Sequence, residues 1–161
     1  MPTHLVLENI RSLYNVGSMF RTADGFGVAK IWLCGYTGTP EQKGLTKVAL
    51  GAEKTVPWEK VGSAWRLVEK LKREGFFVVA LERTAGAVSL RDLRPPKGKS
   101  IALVLGNEVE GVSSATLKRA DAVVEIPMSG VKESFNVAVS CGVALYGLGQ
   151  NRPVAKIRQN R

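Results

Sequence analysis

Three groups of polar residues follow apolar stretches of this sequence, and their types suit the binding of phosphates and other polar groups. The first group runs from Glu8 to Asp24. Within it, Asn15 is of a type that caps helices, and Gly17 lets a ligand or chain segment approach the backbone. The guanidinium of Arg21 presents a rigid fork of donors that can clamp a phosphate. The alternative is a capped surface helix with a solvated arginine.

The second group follows the apolar stretch 103–105 and reads Gly106-Asn107-Glu108-Val109-Glu110-Gly111. Its two glycines permit dihedral angles that other residues avoid, while Asn107 and Glu108 present an amide and a carboxylate. The alternative is an ordinary turn before a helix. Because the segment is more charged than a strand end that only returns the chain, we expect a binding loop.

The third group runs from Ile126 to Val137 and leads into an apolar helix. Ser134 and Asn136 are expected at the start of that helix, where free backbone N–H groups bind polar ligands readily. Ser134 as a simple helix cap is the alternative. Asn136 is expected just inside the apolar helix, as a buried amide that needs hydrogen-bond partners.

The elements between these groups predict the fold class. Apolar runs indicate strands at 5–7, 31–34, 76–81, 101–105 and 123–126, and helices are expected at 15–27, 62–74 and 134–148. In the clearest amphipathic helix, 62–74, Trp65, Val68 and Leu71 are expected on the buried face. Continuous apolar strands separated by helices predict an α/β fold with a parallel sheet covered on both faces. Ligands bind beyond the carboxyl ends of such strands. We expect one domain over 1–150 and a basic tail over 151–161.

Composition and charge narrow the class of protein. The chain has 161 residues, 45% of them hydrophobic, which suits a single globular domain. Its net charge is +9, which favours RNA or DNA as a partner over a membrane. No apolar run is long enough to span a membrane, and the N-terminus lacks a secretory signal, so a cytoplasmic location is expected. Cys34 and Cys141 are expected to be buried free thiols.

The motifs that several common binding and catalytic sites require are missing from this sequence. There is no phosphate-binding G-x-x-x-x-G-K-[ST] motif, and Gly25-Phe26-Gly27 follows a helix rather than the strand that a dinucleotide site requires. A single histidine, His4, makes a Ser-His-Asp arrangement implausible. No metal-binding cluster is present, so no metal is expected.

The predicted helix 134–148 is apolar nearly all round. Such a helix needs cover on more than one side, and small residues such as Ala138 and Gly142 permit close approach of another backbone. A homodimer interface would supply that cover. The alternative is that the sheet and its neighbouring helices already bury the helix.

Taken together and in order, the three groups resemble the motifs of the SpoU/TrmH-type RNA 2′-O-ribose methyltransferases, in the SPOUT superfamily. The motifs are Asn15–Ala23, Leu105–Gly111 and Ile126–Ser140, and the match spans roughly residues 5 to 149. The resemblance implies a parallel-sheet α/β fold whose C-terminal part forms a trefoil knot, an exception to the usual absence of knots. It also implies a homodimer.

The resemblance further implies S-adenosylmethionine as the cofactor, held in a bent shape by the knot loops. The implied cofactor-binding residues are Leu105, Gly106, Asn107, Glu108, Ile126, Met128, Ser134, Phe135 and Asn136. The implied catalytic residues are Arg21, Asn15, Glu108, Ser134 and Asn136. Arg21 is expected to come from the partner subunit and to meet the target ribose and its phosphate. Family members often have Leu and Ser where this chain has Phe135 and Ala138, which are mild packing changes.

The expected function is methyl transfer from S-adenosylmethionine to a ribose 2′-hydroxyl in RNA, with transfer RNA slightly preferred over ribosomal RNA. Arg21 suits stabilisation of negative charge on the oxygen, but it is always protonated and suits a general base poorly. Further RNA contacts are expected from the tail and from patches such as Lys70, Lys72 and Arg73. The alternatives are a catalytically silent RNA-binding module of the same fold, or an unrelated nucleotide-binding α/β protein.

Overall fold

The computed structural model describes residues 1–149, so the predicted basic tail lies outside the described residues. One sheet of seven parallel strands forms the centre, in the order β3-β2-β1-β6-β4-β7-β5. The strands are β1 (Thr3–Glu8), β2 (Lys30–Cys34), β3 (Trp58–Val61), β4 (Phe77–Leu81), β5 (Val88–Ser89), β6 (Ile101–Leu105) and β7 (Ala122–Glu125). The helices are α1 (Leu13–Gly25), α2 (Lys43–Ala49), α3 (Ala52–Thr55), α4 (Ala64–Arg73), α5 (Ser114–Leu117) and α6 (Val137–Gly149). The predicted α/β class with a parallel sheet is confirmed.

Two apolar layers lie on the two faces of the sheet. Alternation along β1 sends Leu5 and Leu7 to one layer and Val6 to the other. Helices α1, α2 and α6 cover the first layer, and α4 covers the second. The central strand β6 is buried along its whole length, which explains why its sequence is continuously apolar rather than alternating.

The starts of two helices differ from their predicted positions. Helix α1 begins at Leu13, and its cap is Ser12, whose Oγ accepts a hydrogen bond from the Asn15 backbone N–H at 3.2 Å. The prediction of Asn15 as the cap is therefore wrong. Helix α6 begins at Val137, so Ser134 lies in the preceding loop rather than at the helix start.

Asn136 is exposed and stands before α6, which corrects its predicted place as a buried amide inside the helix. Its side-chain Oδ1 accepts hydrogen bonds from the N–H groups of Ala138 at 2.9 Å and Val139 at 3.3 Å. Asn136 thus takes the capping role that was considered for Ser134.

The buried face of α4 also differs from the prediction. Ala64, Leu67, Val68 and Leu71 are the buried residues of this helix. Trp65 is only half-buried, and its ring lies beneath the guanidinium of Arg119 at 4.5 Å. The sequence analysis also missed five short elements: α2, α3, β3, β5 and α5. None of these exceeds seven residues, and β3, at the sheet edge, carries no fully buried side chain.

Neighbouring elements bury only one side of α6. Cys141, Ala144 and Leu145 face the core, whereas Val139 and Tyr146 are 51% and 60% exposed. An apolar stripe therefore remains uncovered in the single chain.

Both cysteines are buried and free, as predicted. Burial, with a smaller contribution from the Glu8 charge, raises the pKa of Cys34 to about 12, and burial alone raises that of Cys141 to about 12. No helix within residues 1–149 is long and apolar enough to cross a membrane.

At Gly17, helix α1 packs closely against α2. A Cβ at this position would lie 2.6 Å from the carbonyl oxygen of Leu45 and 2.9 Å from Cβ of Val48. Such distances are too short for any side chain. Of the two partners expected at Gly17, a ligand or a chain segment, the structure shows a chain segment, helix α2.

Gly17→Ala is expected to lower the free energy of unfolding by about 1–3 kcal/mol, the usual cost of overpacking a tight contact. Gly25→Ala is the matched control, since it lies in the same helix and a Cβ there meets nothing within 4 Å. The control is expected to keep or raise stability, because alanine favours helix over glycine. Urea unfolding of both variants measures the difference, and equal stabilities would refute the packing role of Gly17.

Candidate active site

A pocket of about 460 Å³ opens beyond the carboxyl ends of β4, β6 and β7, three neighbouring strands. The loops that follow these strands form its walls. Each of the nine residues expected to bind cofactor lines this pocket: Leu105, Gly106, Asn107, Glu108, Ile126, Met128, Ser134, Phe135 and Asn136. The second and third polar groups of the sequence, far apart along the chain, thus meet at one edge of the sheet.

The loop after β6 is held in a fixed shape by its own side chains. Asn107 Oδ1 accepts hydrogen bonds from the N–H groups of Val109 and Glu110, both at 2.8 Å. Its Nδ2 donates to the Asn9 carbonyl at 2.9 Å and to the Tyr36 hydroxyl at 2.7 Å. The buried amide thus uses its oxygen within the loop and its N–H groups to tie the loop to neighbouring segments, so Asn107 shapes the pocket wall.

Gly106 is required by the same loop. A Cβ on Gly106 would lie 2.2 Å from the carbonyl carbon of Gly111 and 2.2 Å from the backbone nitrogen of Val112. Backbone hydrogen bonds between Asn107 and Gly111, at 3.1 and 2.9 Å, close the turn. Only glycine fits at the point where the strand enters this turn.

Glu108 connects the loop to the start of α1. Its carboxylate accepts hydrogen bonds from the backbone N–H groups of Arg11 at 3.0 Å and Ser12 at 3.1 Å, and from Asn15 Nδ2 at 3.1 Å. Partial burial raises the pKa of Glu108, but these hydrogen bonds together outweigh it and hold the pKa below its ordinary value. The carboxylate therefore stays ionised at neutral pH, next to the positive end of a helix.

Asn15 extends this connection to the third polar group. Its side-chain Oδ1 accepts a hydrogen bond from Asn136 Nδ2 at 3.1 Å. Asn136 in turn caps α6 through its Oδ1, so Glu108, Asn15 and Asn136 form one hydrogen-bonded chain. We call these three residues the polar relay. It joins the start of α1, the loop after β6 and the start of α6.

The loop before α6 forms the remaining wall of the pocket. Ser134 and Phe135 are exposed there, while Ile126 and Met128 are half-buried. Ser134 makes no side-chain hydrogen bond within residues 1–149, so its hydroxyl is free to meet a ligand.

Arg21 is not brought to this pocket by its own chain. It lies on α1 six residues beyond Asn15, about 9 Å along the helix axis, and its side chain is exposed. Helical spacing places it on the same face of α1 as Tyr14, which is 67% exposed. The structure therefore brings together four of the five expected catalytic residues and leaves Arg21 on an outer surface.

Glu82 and Arg83 are pocket residues that the sequence analysis missed. Glu82 Oε2 accepts a hydrogen bond from the Val112 N–H at 2.8 Å, and Arg83 donates to the carbonyl of Glu133 at 3.0 Å. They connect the end of β4 with the two loops on either side. A signal was present, because both are charged and directly follow an apolar strand, as the other three groups do.

The charge of the pocket is strongly negative. Five carboxylates line it, against one cation, Arg83, and the acidic residues are Glu82, Glu108, Glu110, Glu125 and Glu133. Apolar side chains from the ends of β6 and β7 complete the lining. The pocket suits a ligand with an apolar ring and positive charge. No group of three or more metal-ligating side chains occurs in the described part of the chain.

Comparison with known proteins identifies the family to which the chain belongs. The model of the SpoU rRNA Methylase family matches residues 2–146. The chain belongs to this family. The predicted resemblance is therefore confirmed over nearly the whole chain.

Individual relatives differ in how much of their length they share with it. The chain is 34% identical, over 90% of its own length, to a Vibrio cholerae protein named 23S rRNA (guanosine-2'-O-)-methyltransferase RlmB. It spans only 58% of that relative's length. A solved AdoMet-bound rRNA methyltransferase from Sinorhizobium meliloti has a TM-score of 0.86 and 28% identity, with 92% of this chain and 56% of that one covered.

Another solved structure matches over nearly its full length. It is described as giving structural insights into the 2-OH methylation of C/U34 on tRNA. Its TM-score is 0.81 and its identity 29%, and the match covers 92% of this chain and 95% of that one. The fold is thus that of the SpoU/TrmH methyltransferases.

Glu108→Gln is expected to lower the free energy of unfolding at neutral pH, because a neutral amide accepts hydrogen bonds at a helix start less strongly than a carboxylate. The pKa of Glu108 in the folded state lies below its ordinary value. The stability that the ionised Glu108 carboxylate adds to the folded protein is therefore complete above a pH of about 4.3, the ordinary glutamate pKa. It is lost as the pH falls through the pKa that Glu108 has in the folded state.

Urea unfolding of the wild type and the variant at neutral pH and at a pH of about 3 measures this effect. The control is Glu110→Gln in the same loop, whose carboxylate accepts no hydrogen bond in the described structure. The difference caused by Glu108→Gln should shrink at the acidic pH. An equal difference at both pH values would contradict the ionic role of Glu108.

Proposed function

We propose that the chain carries out S-adenosylmethionine-dependent methylation of a ribose 2′-hydroxyl in RNA. The observation that supports this most is that the second and third family motifs meet in one pocket, to which the first motif is connected through the polar relay. A silent RNA-binding module of the same fold would have no need for an open pocket of this size lined by the two motifs. An unrelated nucleotide-binding protein is set aside by family membership.

The pocket fits the proposed cofactor in size and charge. A volume of about 460 Å³ lies in the range of small-molecule sites. S-adenosylmethionine carries a sulfonium and an ammonium group, which suit the carboxylates that line the pocket, and Arg83 is available for its carboxylate. Leu105, Ile126 and Met128 offer apolar surface for the adenine ring.

Bound there, the cofactor supplies a methyl group on a sulfonium, which is already a good electrophile. The chain's own residues then have to orient the ribose and stabilise the negative charge that develops on its oxygen. Glu108 suits proton acceptance poorly, because its pKa is lowered and its oxygens already accept three hydrogen bonds. Its proposed part is to hold Asn15 and the pocket loop in place.

Arg21 is proposed to act in the pocket of a second copy of the chain. The outer surface that carries it is apolar, because Tyr14 on α1 and Val139, Val143 and Tyr146 on α6 are all exposed. Large exposed apolar surfaces mark interfaces, and a two-fold dimer would place each α1 against the partner. Arg21 would there bind the RNA phosphate and stabilise the reacting ribose oxygen.

Ribosomal RNA is the substrate that we propose first. Several curated relatives are named for 23S rRNA and another for tRNA/rRNA, which favours ribosomal RNA over the transfer RNA expected from the sequence. Transfer RNA is a second candidate, because the match to the structure concerned with C/U34 on tRNA extends over 95% of that protein. The cytoplasmic location stays a prediction.

Incubation with methyl-labelled S-adenosylmethionine and unmodified RNA, followed by alkaline hydrolysis, tests the proposed reaction. A methylated 2′-oxygen cannot attack the neighbouring phosphate, so label is expected in alkali-resistant dinucleotides. Separate 23S ribosomal RNA and transfer RNA transcripts identify the substrate. Label in mononucleotides only would contradict ribose methylation.

Arg21→Ala is expected to abolish this methyl transfer while leaving the fold and cofactor affinity unchanged. Arg66→Ala is the matched control, since it removes an exposed helical arginine on the opposite face of the sheet, outside the patch expected to contact RNA. Isothermal titration with S-adenosylmethionine and the labelling assay give the two readouts. Full activity of the Arg21 variant would refute its role.

A further inference from the structure

Most of the net positive charge of this protein comes from two short segments. The first, which we call the basic loop, is residues 91–99, between β5 and β6. It carries Arg91, Arg94, Lys97 and Lys99 against one acid, Asp92. The second is the sequence 151–161, with four basic residues and no acid. Together they account for +7 of the net +9.

The cations of the basic loop are exposed and make no ion pair in the described structure. Arg94 donates instead to the backbone carbonyls of Arg91 at 2.6 Å and Leu93 at 3.0 Å. Lys97 and Lys99 make no side-chain hydrogen bond within residues 1–149. Four positive charges therefore face solvent with only Asp92 nearby in the sequence.

On the α4 surface, where the sequence analysis expected RNA contacts from Lys70, Lys72 and Arg73, two of these three cations are paired and only Arg73 makes no described ion pair. Lys70 pairs with Glu74 at 3.9 Å, and Lys72 pairs with Asp121 at 2.9 Å. Arg119, beside the same helix, pairs with Glu69 at 2.7 Å. Ion pairing lowers the attraction of such a surface for a polyanion, so the basic loop is the better candidate.

The basic loop is anchored to the body of the fold rather than projecting freely. Leu90, just before it, and Leu93, within it, are buried in the same apolar layer as α6. A Cβ at Gly147 of α6 would lie 3.1 Å from Cδ2 of Leu90. Pro95 and Pro96 restrict the backbone further, so the cations are presented on a constrained segment.

The loop therefore lies near the C-terminal end of α6, whereas the pocket lies at its start. Ten residues separate Val137 from Gly147, which is about 15 Å along the helix. The second basic segment follows α6 in the sequence and lies outside the described residues. A polyanion held by the basic loop is within a few nucleotides of the pocket.

We propose that the basic loop is a docking surface for the phosphate backbone of the RNA substrate. This rests on the proposed function, and it names a surface outside the pocket and outside the family motifs. Single exposed lysines and arginines contact phosphates without reading bases, so the loop contributes affinity rather than choice of nucleotide. Its contribution is expected to fall as salt concentration rises, because binding releases counterions from the RNA.

The test compares the full-length wild type with a loop variant, R91Q/R94Q/K97Q/K99Q. The control variant, K47Q/K54Q/R66Q/K118Q, removes the same charge from exposed residues outside the described ion pairs and outside the patches expected to contact RNA. Filter binding to a 23S ribosomal RNA transcript and to a transfer RNA transcript is measured over a range of salt concentrations. Isothermal titration with S-adenosylmethionine checks that the pocket is intact.

The loop variant is expected to bind RNA roughly tenfold more weakly or worse. The slope of the logarithm of affinity against the logarithm of salt concentration should become shallower by up to about 3, because four phosphate contacts are lost. K97Q/K99Q removes only side chains without hydrogen bonds and is expected to give about half that change in slope. The control variant and cofactor affinity should change less than twofold.

Wild-type affinity and salt dependence in the loop variant would overturn the proposal. Binding to anionic phosphatidylglycerol vesicles is measured alongside. A loop variant that keeps RNA binding but loses vesicle binding would also overturn the proposal, since the partner would then be a membrane. If the wild type itself binds neither RNA, the result counts against the proposed function as well. If the wild type binds RNA and the loop variant binds equally well, only the proposal for the loop fails.

Discussion

The hydrogen-bonded chain Glu108–Asn15–Asn136 is the interaction on which the rest of the site depends. It joins three segments that are distant in sequence, and each of its members also fixes backbone. Glu108 accepts from two N–H groups before α1, and Asn136 caps α6. Loss of any member would release a helix start as well as a pocket wall. Because the carboxylate is ionised, its hydrogen bonds are of the stronger, charge-assisted kind.

Helix α1 connects this relay to a second surface. Asn15 points inward to the relay, whereas Arg21, almost two turns later, is exposed on the outer face beside the apolar stripe of α6. One rigid helix therefore fixes both the pocket of its own chain and the position of the arginine. Gly17 adds to this, because it lets α2 pack directly against α1. In the proposed dimer, each α1 serves two sites.

The sequence predicted the sheet, the long helices and the residues of the pocket, because continuous apolar strands and polar residues at their ends are strong local signals. It missed the short edge strands, since β5 has only two residues and β3 is half-exposed. It also placed the starts of α1 and α6 wrongly. Ser12 and Asn136 compete with nearby polar residues for the capping role, and tertiary contacts decide between them. Glu82 and Arg83 carried the right signal but were overlooked.

Mixing two inactive variants tests most directly whether one subunit completes the site of the other. Arg21→Ala lacks the arginine, and Ser134→Trp is designed to fill the pocket, which isothermal titration with S-adenosylmethionine checks beforehand. If Arg21 acts across the dimer, each mixed dimer regains one complete site, and random mixing restores about a quarter of wild-type methyl transfer. If Arg21 acts within its own chain, every site keeps a defect. Activity no higher than that of the separate variants would contradict the account.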